Sequence, residues 1–295
     1  MSVDRYHAGK VSEVEADTPV AFLRGHSEGY TVRSLVDYRH GSAHTVLSVH
    51  ELAPGGRIDP HFHSSEEGIF VLEGEVVVAI DGVNHALVVN DFAISLSARR
   101  HAFRNVSDAP VRWLEMRAPL PVGPDRERDV YFDGGQAPES GTPVDARDPR
   151  SRYVGHFNEA SLSPLGLGGP LTRDGKPPLD GPYFRELVGR PSGAQHVRMF
   201  IIQFEPGGGV PLHDHPLEES YFVLEGEVEV VLGEETYPFQ VGDFGWAGVA
   251  TPHSFLNTGS DTVRWLETQS PQPTSEGSTR QLATWDTLRD ELGDG

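Results

Sequence analysis

Two short stretches of this 295-residue chain, HFHSSEE at residues 61–67 and HDHPLEE at 213–219, share a pattern. Each has two histidines one residue apart and a glutamate four residues beyond the second. On a β-strand alternate side chains share a face, so His61 and His63 project together, as do His213 and His215. Glu67 and Glu219 follow after a turn, where an antiparallel partner can return the carboxylate opposite the imidazoles. A third histidine comes later in each half, His101 in ARRHAFRN and His253 in ATPHSFLN. Its separation from the glutamate is 34 residues in both (101 − 67 and 253 − 219). Three imidazoles and one carboxylate are mixed N/O donors, which suit Fe, Mn, Ni, Co, Cu or Zn better than Mg or Ca. With a divalent ion such a set leaves coordination positions open for water, O2 or a substrate. The chain has no cysteine, so disulfides, thiolate nucleophiles and iron–sulfur clusters are excluded and any metal rests on imidazole and oxygen.

The elements that position these groups are themselves repeated. At an offset of 152 residues VLEGEV (71–76) falls on VLEGEV (223–228), VRWLE (111–115) on VRWLE (263–267), and PGG at 54 on PGG at 206. The register runs without a gap from Tyr30–Pro121 to Pro182–Pro273, too long for a solenoid unit, so each copy is a whole domain. Short Val/Ile/Phe-rich runs punctuated by Gly, Pro, Asp and Asn predict strands. Asp81-Gly82 predicts a hairpin turn, and the pattern as a whole predicts an all-β sandwich or barrel. The clearest helix candidate is ATWDTLRDEL (283–292). Residues 122–181 have linker composition, rich in Gly, Pro and Asp, with one or two short strands expected. The expected organisation is an arm at 1–29, a first domain at 30–121, the linker at 122–181, a second domain at 182–273 and a tail at 274–295 carrying the short helix.

The metal pattern resembles the cupin superfamily. That family's first motif is matched by Gly55, His61, His63, Glu67 and Gly74, and again by Gly207, His213, His215, Glu219 and Gly226. Its second motif is matched in part, by Gly242, His253 and Asn257 in the second copy and by His101 and Asn105 in the first. The family's internal Pro and Gly are absent there, with Leu96 and Ala98, and Gly248 and Ala250, in their places. These departures put loop shape in doubt more than metal binding. The resemblance implies a bicupin: an all-β chain of two tandem jelly-roll barrels, each holding one divalent transition metal, iron or manganese favoured. It implies a dioxygenase-type oxidoreductase acting on a small organic substrate with O2. The alternatives are a metal-dependent isomerase, lyase (decarboxylase) or aminohydrolase, and a non-catalytic small-molecule binding protein.

Strand parity extends the site. If Glu67 points inward, so do Ile69 and Val71, and with Glu219 go Tyr221 and Val223. Tyr221 is a candidate to orient substrate or transfer a proton, or else an ordinary packing tyrosine; Glu67 and Glu219 are the other candidate catalytic groups. Phe103 and Phe255 are candidate apolar walls. Arg99 and Arg100 could attract an anionic substrate or pair with surface acids. Glu115 and Glu267 could support the ligands or face solvent. Glu66 and Glu218 lack the spacing of the ligands, and the remaining histidines, such as His7, His26 and His156, are read as surface. The net charge of −20 argues against nucleic acid as a partner. No run is apolar enough for a secretory signal or a membrane span, so a cytoplasmic monomer or homodimer is expected.

Overall fold

The structure, a computed structural model, describes residues 5–22, 25–120, 129–145, 152–164, 182–273 and 280–281. The expected helix at 283–292 lies outside them. The first half begins with β1 (Tyr6–Lys10), β2 (Ser27–Val36) and β3 (Val46–Phe62). It continues through β4 (Glu66–Glu73), β5 (Glu75–Ile80), β6 (Val83–Val88), β7 (Asp91–Ser95), β8 (His101–Arg104) and β9 (Val111–Ala118). Four short strands then occupy the region expected to hold one or two: β10 (Tyr131–Phe132), β11 (Thr142–Pro143), β12 (Val154–His156) and β13 (Ser163–Pro164). The second half holds β14 (Tyr183–Val188), β15 (Arg198–Phe204), β16 (Gly209–Asp214), β17 (Glu218–Glu225) and β18 (Glu227–Leu232). It ends with β19 (Glu235–Gln240), β20 (Asp243–Ala247), β21 (His253–Leu256), β22 (Val263–Ser270) and β23 (Arg280–Gln281).

Each half folds into two facing sheets, the jelly-roll arrangement. In the first, β12-β7-β4-β9-β3-β2 faces β11-β6-β5-β8-β3, and β3 serves both sheets because it bends at Pro54-Gly55-Gly56. In the second, β1-β20-β17-β22-β15-β14-β13 faces β19-β18-β21-β16-β23, and the equivalent Pro206-Gly207-Gly208 separates β15 from β16. The expected hairpin forms: Ile80 pairs with Val83 across Asp81-Gly82, both at positive φ (50° and 81°).

The two barrels exchange their arms. β1, from the N-terminal arm, pairs with β20 of the second barrel, while β12, from the region between the domains, pairs with β7 of the first. The registers match: Ala8 meets Gly245 and Gly9 meets Phe244, as Val154 meets Ala93 and Gly155 meets Phe92. At Gly9 and Gly155 alike, the aromatic ring of the paired phenylalanine fills the place a Cβ would take. Each arm then returns to its own barrel, Asp17 bridging Val32 and Ser163 pairing with Phe184. The exchange covers β7 and β20, which would otherwise be exposed sheet edges.

Between the barrels the outward faces of the larger sheets share one apolar cluster, in which Phe70 and Met116 join Met199, Phe222 and Leu266. Strand alternation that turns Glu67 inward turns Glu66 outward, into this contact. The Glu66 carboxylate accepts hydrogen bonds from the backbone N–H groups of Gln195, His196 and Val197 at 2.7, 2.8 and 3.0 Å. Glu218 does the same in reverse, accepting from the N–H groups of Ala43 and His44 and from the Ser42 hydroxyl at 2.8, 3.2 and 2.6 Å. A carboxylate buried at an interface is tolerated only when hydrogen-bonded, and both are.

Candidate metal centres

His61 and His63 stand at the end of β3, Glu67 near the start of β4, and His101 at the start of β8. The cross-strand pairing His61–His101 brings the third imidazole to the first two. One donor atom from each of the four residues lies within 4.8 Å of the other three, and all four are buried. In the second barrel His213, His215 and His253 form the same cluster at that radius, which Glu219 does not join. Its oxygens nevertheless lie 2.8 Å from His215 Nε2 and 3.2 Å from His253 Nε2.

The backbone fixes how these rings present themselves. Each of the six imidazoles has Nδ1 against a backbone carbonyl two residues away. In the first barrel these are Asp59, Ser65 and Arg99, at 2.8, 2.8 and 2.9 Å. In the second they are Pro211, Leu217 and Thr251, at 2.8, 3.1 and 2.8 Å. An Nδ1–H donated to a carbonyl leaves Nε2 as the free lone pair, the form in which histidine binds a cation. His101, His215 and His253 have buried Nε2 atoms directed into the clusters, facing the Glu67 or Glu219 carboxylate at 3.5, 2.8 and 3.2 Å. A divalent transition metal fits both donor sets.

Electrostatics agree with a cation site. Burial alone would raise the Glu67 carboxyl, but the neighbouring His101 and His63 outweigh it and hold it well below the ordinary carboxylate value. Glu219 is held low in the same way, by His215 and His253 against the opposing effect of burial. Burial keeps His61 well below its ordinary value and His213 at about 3, with His101 and His253 adding their repulsion.

Around the clusters the barrels diverge. In the first, a cavity of about 810 Å³ reaches His61 and Glu67 and extends outward past arm residues such as Glu15 and Pro19. Phe22, Ile58 and Phe103 give it apolar walls. Beside them lies a polar row set by register: Arg117 opposite Glu67, Glu115 opposite both Ile69 and Ser48, and His50 one strand further. His50 Nδ1 is 2.8 Å from the Tyr30 hydroxyl and 3.2 Å from Glu115, and its Nε2 is 2.7 Å from the Ser48 hydroxyl. In the second barrel the positions of Tyr30, Ser48 and His50 (offset 152) carry Pro182, Phe200 and Ile202. Phe200, Ile202, Tyr221 and Phe255 pack there in one apolar cluster.

Tyr221 does line the second site, with its hydroxyl donating to Glu219 Oε2 at 2.8 Å. Gln269, at the position of Arg117, donates to the other Glu219 oxygen. These two bonds draw the Glu219 carboxylate toward them, and Glu67 has Ile69 and Arg117 at the matching positions. Glu115 and Glu267 are buried, which removes the solvent-facing reading; each accepts from its neighbouring tryptophan, Trp113 at 3.2 Å and Trp265 at 3.1 Å. Arg99 pairs with Asp81 at 2.9 Å and Arg100 with Asp133, as surface ion pairs rather than substrate ligands. Of the histidines read as surface, His156 is exposed, but His26 stacks on Phe132 beside His61. His50 and His85 are buried, a correction to the reading of the remaining histidines as surface. The alternation of His50 with the inward Ser48 was the one available sign of its place. Asn105 and Asn257 are backbone pins: each side-chain amide donates to one strand carbonyl and one loop carbonyl, Leu52 and Ala109 in one barrel and Phe204 and Asp261 in the other.

Comparison with known proteins places this geometry. Residues 48–117 and 200–268 each match the model of the cupin domain. Polyketide synthase CurC from Streptomyces cyaneus is 33% identical over 85 residues, 28% of this chain, and the match spans only 55% of that protein's length. Salicylate 1,2-dioxygenase from Pseudaminobacter salicylatoxidans superposes with a TM-score of 0.70 at 17% identity, covering 92% of this chain and 85% of the other. Oxalate decarboxylase from Lactobacillus farciminis superposes at 0.63 with 17% identity, covering 97% and 93%.

Proposed function

We propose that this chain, with its two matches to the cupin domain, is a bicupin and a metal-dependent oxidoreductase of the dioxygenase type that works in its N-terminal barrel. The observation that carries this is the unequal interior: a cavity reaches His61 and Glu67, whereas aromatic and aliphatic side chains pack the matching region of the C-terminal barrel. Its size falls in the range of sites for small organic ligands, roughly 300–1,000 Å³. His61, His63, His101 and Glu67 would hold an iron or manganese ion, which when bound supplies Lewis acidity and one-electron chemistry with O2.

The chain's own residues do the rest. Phe22, Ile58 and Phe103 exclude water and favour an apolar substrate body. Burial, aided by the charge of Glu67 and opposed by Arg117, pushes the Glu115 carboxyl well above its ordinary value, which favours the protonated form that can donate a proton or a hydrogen bond. That acid also supports a second reading, a lyase or isomerase that needs a proton delivered to a carbanion-like site. Both relatives named for a reaction, a dioxygenase and a decarboxylase, are compatible with the fold.

In the C-terminal barrel, His213, His215, His253 and Glu219 would hold a second ion with a structural or accessory task. Tyr221 stays a phenol, because burial and the charges of Glu219 and Glu267 raise it well above its ordinary value. In this reading it positions Glu219 rather than meeting substrate. Oxygen uptake by the iron- or manganese-loaded chain, screened against hydroxylated aromatic acids and polyketide-like phenols, tests the proposal. Uptake stoichiometric with product supports it, and full turnover under anaerobic conditions would replace it with the lyase or isomerase reading.

A further inference from the structure

Tyr30, Ser48, His50 and Glu115 are buried, polar and inward-facing, yet none belongs to either ligand cluster. They line the cavity on strands β2, β3 and β9, beyond the row that contains Glu67. A barrel that needed only stability would fill these places with apolar groups, since each buried polar group must be matched or it costs stability. The C-terminal barrel does so at three of the four, with Pro182, Phe200 and Ile202, and keeps only the glutamate, Glu267. The first barrel instead keeps a hydrogen-bonding end wall beside open space.

We propose that Tyr30, Ser48, His50 and Glu115 recognise the end of the substrate remote from the metal, and that the substrate is an apolar, ring-sized molecule whose far end bears a hydrogen-bonding hydroxyl, carbonyl or amide. This rests on the N-terminal barrel being the working site. The wall is built of groups that hydrogen-bond to one another, Tyr30 and Ser48 to His50 at 2.8 and 2.7 Å. Burial lowers His50 to about 3 and raises Tyr30 and Glu115 well above their ordinary values, which favours the neutral form of each. Arg117, across from Glu67 in the neighbouring row, also lines the cavity, with its Nε 3.6 Å from Glu115 Oε1. A hydroxyl that reaches this wall exchanges its water for Tyr30, Ser48 or His50.

The test is a binding ratio, read without oxygen so that it stands or falls separately from the reaction class. The full chain loaded with Mn²⁺ is titrated with 4-methylcatechol and 4-(hydroxymethyl)catechol, which share the chelating hydroxyls and differ only at the tail. The wild type is expected to bind the hydroxymethyl compound about five- to tenfold more tightly, the worth of one good neutral hydrogen bond in a buried site. His50→Leu and Tyr30→Phe should bring the ratio toward one while metal content and affinity for 4-methylcatechol stay near wild type. Tyr30→Phe keeps the ring, so it carries the test if His50→Leu fails to fold. A wild-type ratio near one, no binding of either probe, or a ratio that survives in Tyr30→Phe and His50→Leu overturns the inference. Absence of oxygen uptake leaves the ratio untouched and counts against the dioxygenase reading alone.

Discussion

The two barrels have matching histidine sets and opposite interiors. In the N-terminal barrel Ile69 and Arg117 stand where Tyr221 and Gln269 stand in the other, and a polar-walled cavity adjoins the cluster. In the C-terminal barrel Tyr221 and Gln269 hold Glu219 and large side chains fill the space beyond. The difference teaches that ligand spacing reports where a metal can sit, whereas a handful of inward positions around it decide whether a substrate can reach it.

Removing one ligand from each barrel breaks the comparison most sharply. His61→Ala should lower turnover by more than about 100-fold, beyond the 10–100-fold typical when a group supporting a ligand is lost. His213→Ala should leave turnover within about threefold while removing one bound ion and lowering the melting temperature. Steady-state rates together with elemental analysis check both halves of this expectation.

Carrying the C-terminal filling into the N-terminal barrel is next in size. Ser48→Phe with His50→Ile should abolish probe binding yet keep or raise the melting temperature, because an apolar side chain in an open cavity adds contacts and removes buried polar groups. Binding calorimetry and thermal unfolding on the same sample would expose a failure, seen as a stable double variant that still binds.

Glu115 and Glu267 should behave alike. Each is raised well above 4.5 by burial, with Glu67 or Glu219 adding to it. A raised folded-state pKa stabilises fully below 4.5, and that contribution is lost as pH rises from 4.5 through the folded value. Glu115→Gln and Glu267→Gln should therefore gain stability relative to wild type with rising pH, by about 1.4 kcal/mol for each unit separating the folded and unfolded values. Urea unfolding at several pH values reads the slope, and a difference independent of pH would show that the carboxyls are ionised in the fold.

The smallest effect concerns the loops before His101 and His253. Ala98 and Ala250 both adopt φ of 59°, in the left-handed region that glycine occupies readily. Ala98→Gly and Ala250→Gly should each stabilise the protein by up to about 1 kcal/mol, the relief of an L side chain in that region offset by added chain entropy in the unfolded state. Thermal unfolding would show it.

Much of this was legible beforehand. The two histidine clusters could be read because strand alternation and repeated spacing fix them locally, and the repeat announced two like domains. The doubt that Ala98 and Ala250 cast on the loops is answered by their backbone, which takes the left-handed turn. The arm exchange was not legible: residues 6–17 match 152–163 at an offset of 146 (163 − 17), not 152, and they share few residues apart from the glycine that faces a phenylalanine. Its strands also pair with the barrel further away in sequence, which no local pattern encodes. Glu66 and Glu218 could be set apart from the ligands by spacing, but their role between the barrels needed the partner surface. His50 was hidden because it lacks the spaced partners of the ligands, and its alternation with Ser48 says which face it shares but not that this face is inward.

The central claim is that substrate meets the N-terminal barrel and not the C-terminal one. A crystal structure of the Mn²⁺-loaded chain soaked with 4-(hydroxymethyl)catechol tests it most directly. The expected result is probe density between His61 and His50, with Phe200, Ile202 and Tyr221 still packed together in the other barrel. Density beside His213 and Tyr221, with the N-terminal cavity free of probe, would contradict it.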